Sequence, residues 1–133
     1  MESEFESLKI ESAPTPKTFS AYKVINGHDT NLCLSIFTNQ IFIIVSQIDT
    51  FGTVVQARKR ESLSENFQSE VQVLLGRRDD PLLLVYARQF LERIGSPLGL
   101  PVVAAIGLKD RSSNAFEQVV NQLQDLMTCY KNA

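Results

Sequence analysis

The spacing of apolar positions changes along the chain, from every second residue to every third and fourth. Between Phe19 and Leu75, β-branched and aromatic residues recur at a spacing of two and are interrupted by turn residues, which is typical of strands. Asn26-Gly27 suits positive φ at both positions and predicts a tight hairpin. The predicted strands are residues 19–25, 30–38, 41–45, 53–59 and 71–75.

The strand over residues 41–45 is apolar on both faces. Ile41, Ile43 and Val45 occupy one face, and Phe42 and Ile44 occupy the other. Such a strand belongs in the middle of a sheet with both sides covered, because a solvated side would expose Phe and Ile on an uncharged segment of high β propensity. Two helices can cover only one face, so we expect a second subunit on the other and take all five residues as dimer-face candidates. A strand buried inside a two-sheet sandwich is the alternative.

A helix is predicted over residues 81–94. Asp80 stands at the N-cap, Pro81 at the first helical position and Gly95 just past the end. The predicted buried stripe is Leu83, Tyr86, Ala87, Phe90, Leu91 and Ile94.

A second helix is predicted from Asn114, which has the capping-box spacing to Glu117, to about Tyr130. Between the two helices, residues 102–108 form an almost uninterrupted apolar run, typical of an interior strand. The fold class is therefore α+β, a mainly antiparallel sheet of about six strands with two C-terminal helices packed on it.

Length and composition indicate one globular domain. The chain has 133 residues, 44% of them apolar and 21% charged. Residues 1–17 mix acids, serines and two prolines, so we expect a mobile acidic arm ahead of a domain over residues 18–133. The net charge of -2 argues against nucleic acid as a partner, because affinity for phosphate backbones comes from clustered basic charge.

The chain lacks the apolar runs that mark membrane spans and secretory leaders. No stretch approaches eighteen consecutive apolar residues, so we predict no membrane partner, and the acidic first eleven residues do not resemble a leader peptide. We therefore expect a reducing compartment, the cytoplasm and also the nucleus, with Cys33 and Cys129 as free thiols.

Candidate catalytic chemistry is sparse. One histidine and two cysteines cannot supply the ligands of a zinc site. His28-Asp29 lies in the hairpin turn, where small polar residues are favoured for conformational reasons. Residues 76–80 enter a helix, but Asp79 and Asp80 already occupy its positive end and no phosphate-binding glycine motif is present. We predict no enzymatic activity, no metal and no cofactor.

Two basic groups are candidates for partner binding. Arg58, Lys59 and Arg60 end the fourth predicted strand, and Arg77 and Arg78 precede the first helix. Either group alone is typical of a solvated strand end or loop. Together they would form a positive patch for an acidic protein partner.

Six segments also carry a family resemblance. They are residues 30–33 (TNLC), 41–47 (IFIIVSQ), 51–55 (FGTVV), 73–76 (VLLG), 80–82 (DPL) and 104–110 (AAIGLKD). Over residues 28–130 the chain resembles the proteasome assembly chaperone 3 family. The Leu-Leu-Gly, acidic and Pro-Leu stretch that enters the first helix is the most specific part.

The resemblance implies a chaperone that promotes formation of the α-ring of the 20S core particle by binding free α-type subunits. It also implies a dimer, either with itself or with the related proteasome assembly chaperone 4. A small dimeric adaptor of trafficking or signalling complexes is the alternative function. A small-molecule binder or hydrolase would instead require a concave pocket with converging polar groups.

Overall fold

The computed structural model describes residues 16–47, 52–60 and 69–132. β1 begins at Lys17, inside the predicted arm, and the remaining arm residues 1–15 lie outside the described residues. Residues 48–51, 61–68 and 133 also lie outside them. The elements are β1 (Lys17–Ile25), β2 (His28–Ile36), β3 (Ile41–Ser46), β4 (Thr53–Lys59), β5 (Ser69–Leu75), α1 (Pro81–Phe90), β6 (Val102–Gly107) and α2 (Ser113–Lys131).

The six strands form one mixed sheet in the order β1-β2-β3-β6-β4-β5. β6 enters between β3 and β4, where it runs parallel to β3 and antiparallel to β4. All other neighbours are antiparallel. The prediction of a mainly antiparallel six-stranded sheet is confirmed. The sandwich alternative is wrong for the described residues, because all six strands belong to a single sheet.

The predicted hairpin turn between β1 and β2 is present. Asn26 has a φ of 51° and Gly27 a φ of 83°, so both central residues are left-handed, as a turn that matches the twist of two antiparallel strands requires. The turn fixes the register, in which Ala21 pairs with Leu32.

The core lies between the helices and one face of the sheet. Leu34, Ile43 and Ala104 stand side by side across three neighbouring strands, and each is at most 1% exposed. α1 packs on β4, β5 and β6, whereas α2 packs on β1 and β2. The two helices meet through aromatic rings, since Tyr86 stacks on Phe116 with ring centroids 4.0 Å apart. Burying one such apolar side chain contributes about 1.5–3 kcal/mol before ordering entropy is subtracted.

The cap of α2 differs from the prediction. Ser112 is the N-cap, and its hydroxyl accepts a hydrogen bond from the backbone N–H of Ala115 at 3.2 Å. Asn114 lies within the first turn, where its side-chain oxygen accepts from Gln118 at 2.7 Å. Two consecutive serines precede Asn114, so the helix can start earlier with a hydroxyl cap.

The helix predicted over residues 81–94 changes form before it ends. α1 stops at Phe90, a wider π-helical turn spans Leu91–Gly95, and a short 3₁₀ turn covers Ser96–Leu98. The predicted buried stripe is nevertheless correct, because all six of its residues are buried. Asp80 occupies the N-cap position of α1 but makes no side-chain cap hydrogen bond.

Candidate protein interface

Among the described residues, both helices pack on the same face of the sheet and none of them covers the other face. Side chains alternate along a strand, so Phe42, Ile44 and Val54 face away from the buried helix side. All three are partly exposed although they lie on central strands. We call this surface the open face, and its centre consists of Phe42, Ile44, Val54, Val103 and Ala105, which neighbour one another across β3, β6 and β4.

Toward β2 the surround of the open face is polar, whereas on the β5 side Leu75, 69% exposed, stands opposite Val54. Ser35 pairs with Phe42 and Cys33 with Ile44 on the β2 side. Farther out, Tyr22 is 59% exposed and its hydroxyl donates a hydrogen bond to Asp29 at 2.6 Å. That hydrogen bond is the main reason why the pKa of Tyr22 is raised. An apolar centre within a polar rim is the usual arrangement of a protein-binding surface.

The five dimer-face candidates divide between the two faces. Phe42 and Ile44 lie on the open face. Ile41, Ile43 and Val45 lie on the helix side and are 0% exposed. The alternation of the strand already separated the two sets, and the buried set is the one whose neighbours on β2 are Leu32, Leu34 and Ile36.

The structure separates the two basic groups. Arg58 and Lys59 are the last residues of β4, and Arg60 follows them, whereas the backbone N–H of Arg77 donates to the hydroxyl of Thr53, at the start of β4. Five residues of extended strand separate Thr53 from Arg58, a distance of about 17 Å at the usual rise of a strand. The groups therefore lie at opposite ends of the sheet.

Both groups contain ion pairs at the surface. Arg58 lies 3.1 Å from the carboxylate of Glu70, which stands opposite it on β5. Arg77 lies 3.3 Å from Asp79, and its hydrogen bond lowers the pKa of that carboxyl. All four side chains are about half exposed or more, so solvent screens these pairs and each contributes little to stability.

A cavity of about 270 Å³ lies at the end of β4 that carries Arg58 and Lys59. Its other lining residues come from the connection between α1 and β6. Ser96 is one of them, and its hydroxyl oxygen is buried without a hydrogen-bond partner among the described residues. The sequence patterns described above do not mark this connection as a site. The cavity residues are Arg58, Lys59, Leu91, Ser96, Gly99, Leu100 and Pro101.

At the other end of the sheet an ion pair ties the start of α1 to the loop before α2. Arg111 donates to Asp80 at 2.5 Å, and this hydrogen bond is the main cause of the lowered pKa of Asp80. The hydroxyl of Tyr86 donates to the carbonyl of Arg111 at 2.6 Å, and burial raises the pKa of Tyr86. These contacts hold the two helices in position.

Gln47 forms a second junction beside β3. Its side chain is buried, donates to the hydroxyl of Thr30 at 3.0 Å and accepts from the backbone N–H groups of Lys109 and Asp110 at 2.9 and 3.0 Å. Asp110 in turn accepts from Asn26 in the hairpin turn at 3.0 Å. One amide therefore joins β2, β3 and the loop that follows β6.

The described residues contain no group of three or more His, Cys, Asp or Glu side chains that could hold a metal ion. Cys33 is partly buried and Cys129 exposed, and neither forms a disulfide. In the described ranges no helix has both the length and the apolar character needed to cross a membrane.

In the part of the chain that the structure describes, a six-stranded sheet with helices on one side and an apolar centre on the other defines an α+β module. The family model that describes proteasome assembly chaperone 3 matches residues 43–126, which cover β3 through most of α2. The chain belongs to the proteasome assembly chaperone 3 family. This confirms the resemblance and the chaperone class that it implies.

Relatives of that name agree with this membership, and a solved structure shares the fold. The chain is 26% identical over 113 residues to proteasome assembly chaperone 3 of Nematostella vectensis, covering 77% of this chain and 83% of the relative. It is 29% identical over 103 residues to the human protein of that name, covering 74% and 84%. A crystal structure of a chaperone complex for yeast 20S proteasome assembly shares the fold, with a TM-score of 0.65 at 13% identity over 84% of this chain and 98% of that one.

Proposed function

We propose that this chain promotes assembly of the 20S core particle by holding free α-type subunits while the α-ring forms. Family membership over residues 43–126 supports this proposal, and the open face is the observation that carries it. The apolar centre of that face is what a chain needs in order to work in contact with other proteins. The proposal involves no catalytic step and no cofactor, and it places the protein in the cytoplasm and the nucleus.

The open face is the proposed dimer interface, where a second copy of this chain or the related proteasome assembly chaperone 4 would lie. Val103 and Ala105 at its centre carry compact side chains and are 7% and 2% exposed, so a second sheet can approach to the usual spacing of about 10 Å. Phe42, Ile44 and Val54 would then lose their remaining contact with water, which stabilises the pair by about 25 cal/mol for each Å² buried.

The chaperone would need no energy source other than a difference between its affinities for the free subunit and for the finished ring. A chaperone that binds a free α-type subunit more tightly than a finished ring favours correct neighbours and is released when assembly is complete. We propose that the two basic groups steer acidic partners toward the two ends of the sheet. Those groups are Arg58, Lys59 and Arg60 at one end, and Arg77 and Arg78 at the other.

The test is purification of the tagged chain from its own cells, followed by identification of its companions. We expect α-type proteasome subunits and incomplete rings, and we expect Phe42→Asp to reduce recovery of a chaperone partner. Val85→Asp is a matched control, because Val85 is an exposed apolar residue of α1, on the helix side of the sheet. Absence of every proteasome subunit would contradict the proposal, and recovery of vesicle or GTPase components instead would favour an adaptor.

A further inference from the structure

The cavity at the end of β4 is separate from the open face. It lies where β4 ends, where β6 is about to begin and where the chain returns from α1. Leu91, Leu100 and Pro101 supply apolar walls. Arg58 and Lys59 supply positive charge, and Arg60 follows them in the chain.

The local sequence explains why a cavity forms here. The π-helical turn over Leu91–Gly95 widens the helix at its end, and such turns occur often at functional sites. A Cβ on Gly95 would lie 2.5 Å from the carbonyl oxygen of Leu100, so only glycine lets the two segments meet. Gly99 turns the chain with a φ of 68° and has open space where a side chain would be.

The polar groups of the cavity point to a ligand with an acceptor. The buried hydroxyl of Ser96 has no hydrogen-bond partner among the described residues, and a buried polar group without one requires an explanation. Arg58 is paired with Glu70, but the side chains are 57% and 47% exposed, so an incoming carboxylate can share the guanidinium at little cost.

We propose that this cavity anchors an apolar side chain of a partner protein, and that a carboxylate next to that side chain pairs with Arg58 and Lys59. The volume of about 270 Å³ lies just below the range of small-molecule pockets and suits one side chain the size of Leu or Phe. The inference rests on the proposed function, because it specifies the chemistry that the holding surface recognises. The occupant is an acidic segment with an apolar residue beside its acids.

The test uses short peptides and the full, isotope-labelled chain. The probe is acetyl-Ala-Leu-Glu-Asp-amide, and its matched controls are the neutral acetyl-Ala-Leu-Gln-Asn-amide and the acetyl-Ala-Ser-Glu-Asp-amide that lacks the apolar side chain. We expect the acidic apolar peptide to shift the amide resonances of Ser96, Gly99 and Leu100. We expect both control peptides to bind about threefold to fivefold more weakly, which is the effect of losing exposed charge pairs in one case and one apolar contact in the other.

Two variants locate the site. The double variant Arg58→Gln with Lys59→Gln should bind the acidic peptide no better than the neutral one. Arg77→Gln with Arg78→Gln, which removes the same charge from the other end of the sheet, should bind like the wild type. Equal losses in the two variants, shifts confined to the open face, or no preference for the acidic peptide would each overturn the proposal.

The peptide titration and the purification of the tagged chain test the cavity and the proposed function separately. The titration contains no proteasome subunit, so a chain that recovers α-type subunits but ignores the peptide refutes the cavity alone. A chain that binds the peptide at the cavity but recovers no α-type subunit retains the cavity as a peptide site and refutes the proposed function.

Discussion

Ile43 and Ile44 are consecutive residues of β3 that face opposite sides of the sheet, so they separate folding from association. Ile43 is 0% exposed and lies between Leu34 and Ala104 in the core. Ile43→Ala leaves a cavity in a close-packed interior and should lower the free energy of unfolding by about 2–5 kcal/mol. Ile44→Ala removes the same atoms from the partly exposed open face and should cost the monomer about 1 kcal/mol.

Association should respond in the opposite order. Ile44→Asp places a carboxylate at the centre of the open face, where a dimer would remove it from water without a partner. The cost of an unpaired buried charge is about 3 kcal/mol or more, which corresponds to a dimer dissociation constant raised roughly a hundredfold. Ile43→Ala leaves the open face intact and should change the dissociation constant little once the chain is folded.

Urea denaturation followed by circular dichroism measures the first quantity, and sedimentation velocity at several protein concentrations measures the second. Denaturation should be run at low and high protein concentration, because a dimer gains apparent stability by mass action. If Ile44→Ala lowers the free energy of unfolding as much as Ile43→Ala does, Ile44 is buried in the core and does not lie on an exposed face. If Ile44→Asp leaves the sedimentation profile of the wild type unchanged, that face is not the interface.

Three further predictions concern stability. The pKa of Asp80 is lowered chiefly by its hydrogen bond from Arg111, so this pair stabilises the fold above the ordinary carboxyl pKa, and the contribution disappears as the pH falls through the lowered folded value. Arg111→Gln should therefore lower the free energy of unfolding at neutral pH by about 1 kcal/mol, a small amount because Arg111 is 36% exposed, and change it little in strong acid; urea denaturation at both pH values measures this. Gly95→Ala should lower the melting temperature, at a cost of about 1–3 kcal/mol, because its Cβ would lie 2.5 Å from the oxygen of Leu100. Gln47→Ala should cost about 2–4 kcal/mol in urea denaturation, because it leaves one buried hydroxyl and two backbone N–H groups without their partner.

Each of these predictions has a control. An Arg77→Gln variant removes an exposed pair and should leave the pH profile of stability nearly unchanged. Gly99→Ala meets no atom within 4 Å, so it should cost only the strain of its positive φ, about 1 kcal/mol. The side-chain amide of Gln124 on α2 accepts one long hydrogen bond from Arg93, at 3.4 Å. A Gln124→Ala variant should therefore lower the free energy of unfolding less than Gln47→Ala does. If a variant and its control lower the stability equally, the contact assigned to that variant is not the cause of the loss.

Local patterns predicted most of the elements. Period-two alternation located the strands, and Asn26-Gly27 predicted a turn that is left-handed at both residues. The doubly apolar β3 indicated a central strand, and it lies between β2 and β6. These features are predictable because each depends on neighbours a few residues away in the chain.

Long-range placement was less predictable. Nothing local shows that β6 separates β3 from β4, or that Arg77 lies at the start of β4 rather than beside Arg58. The junction at Gln47 joins partners more than sixty residues apart, and a single buried glutamine has no periodicity that would reveal it. The π-helical turn is similarly hidden, since its residues continue the apolar stripe of α1.

The position of β6 constrains how the molecule can be made. β1 to β3 form one antiparallel ribbon and β4 with β5 another, and β6 is the strand of the described residues that bridges them. A nascent chain that has emerged only as far as β5 therefore has two unjoined ribbons, each with an exposed hydrogen-bonding edge. The two ribbons can join only after residues 102–107 have been synthesised. α2 follows β6 in the chain and then packs on β1 and β2. Completion of the sheet should therefore follow the synthesis of β6, and truncation before β6 should leave an aggregation-prone product.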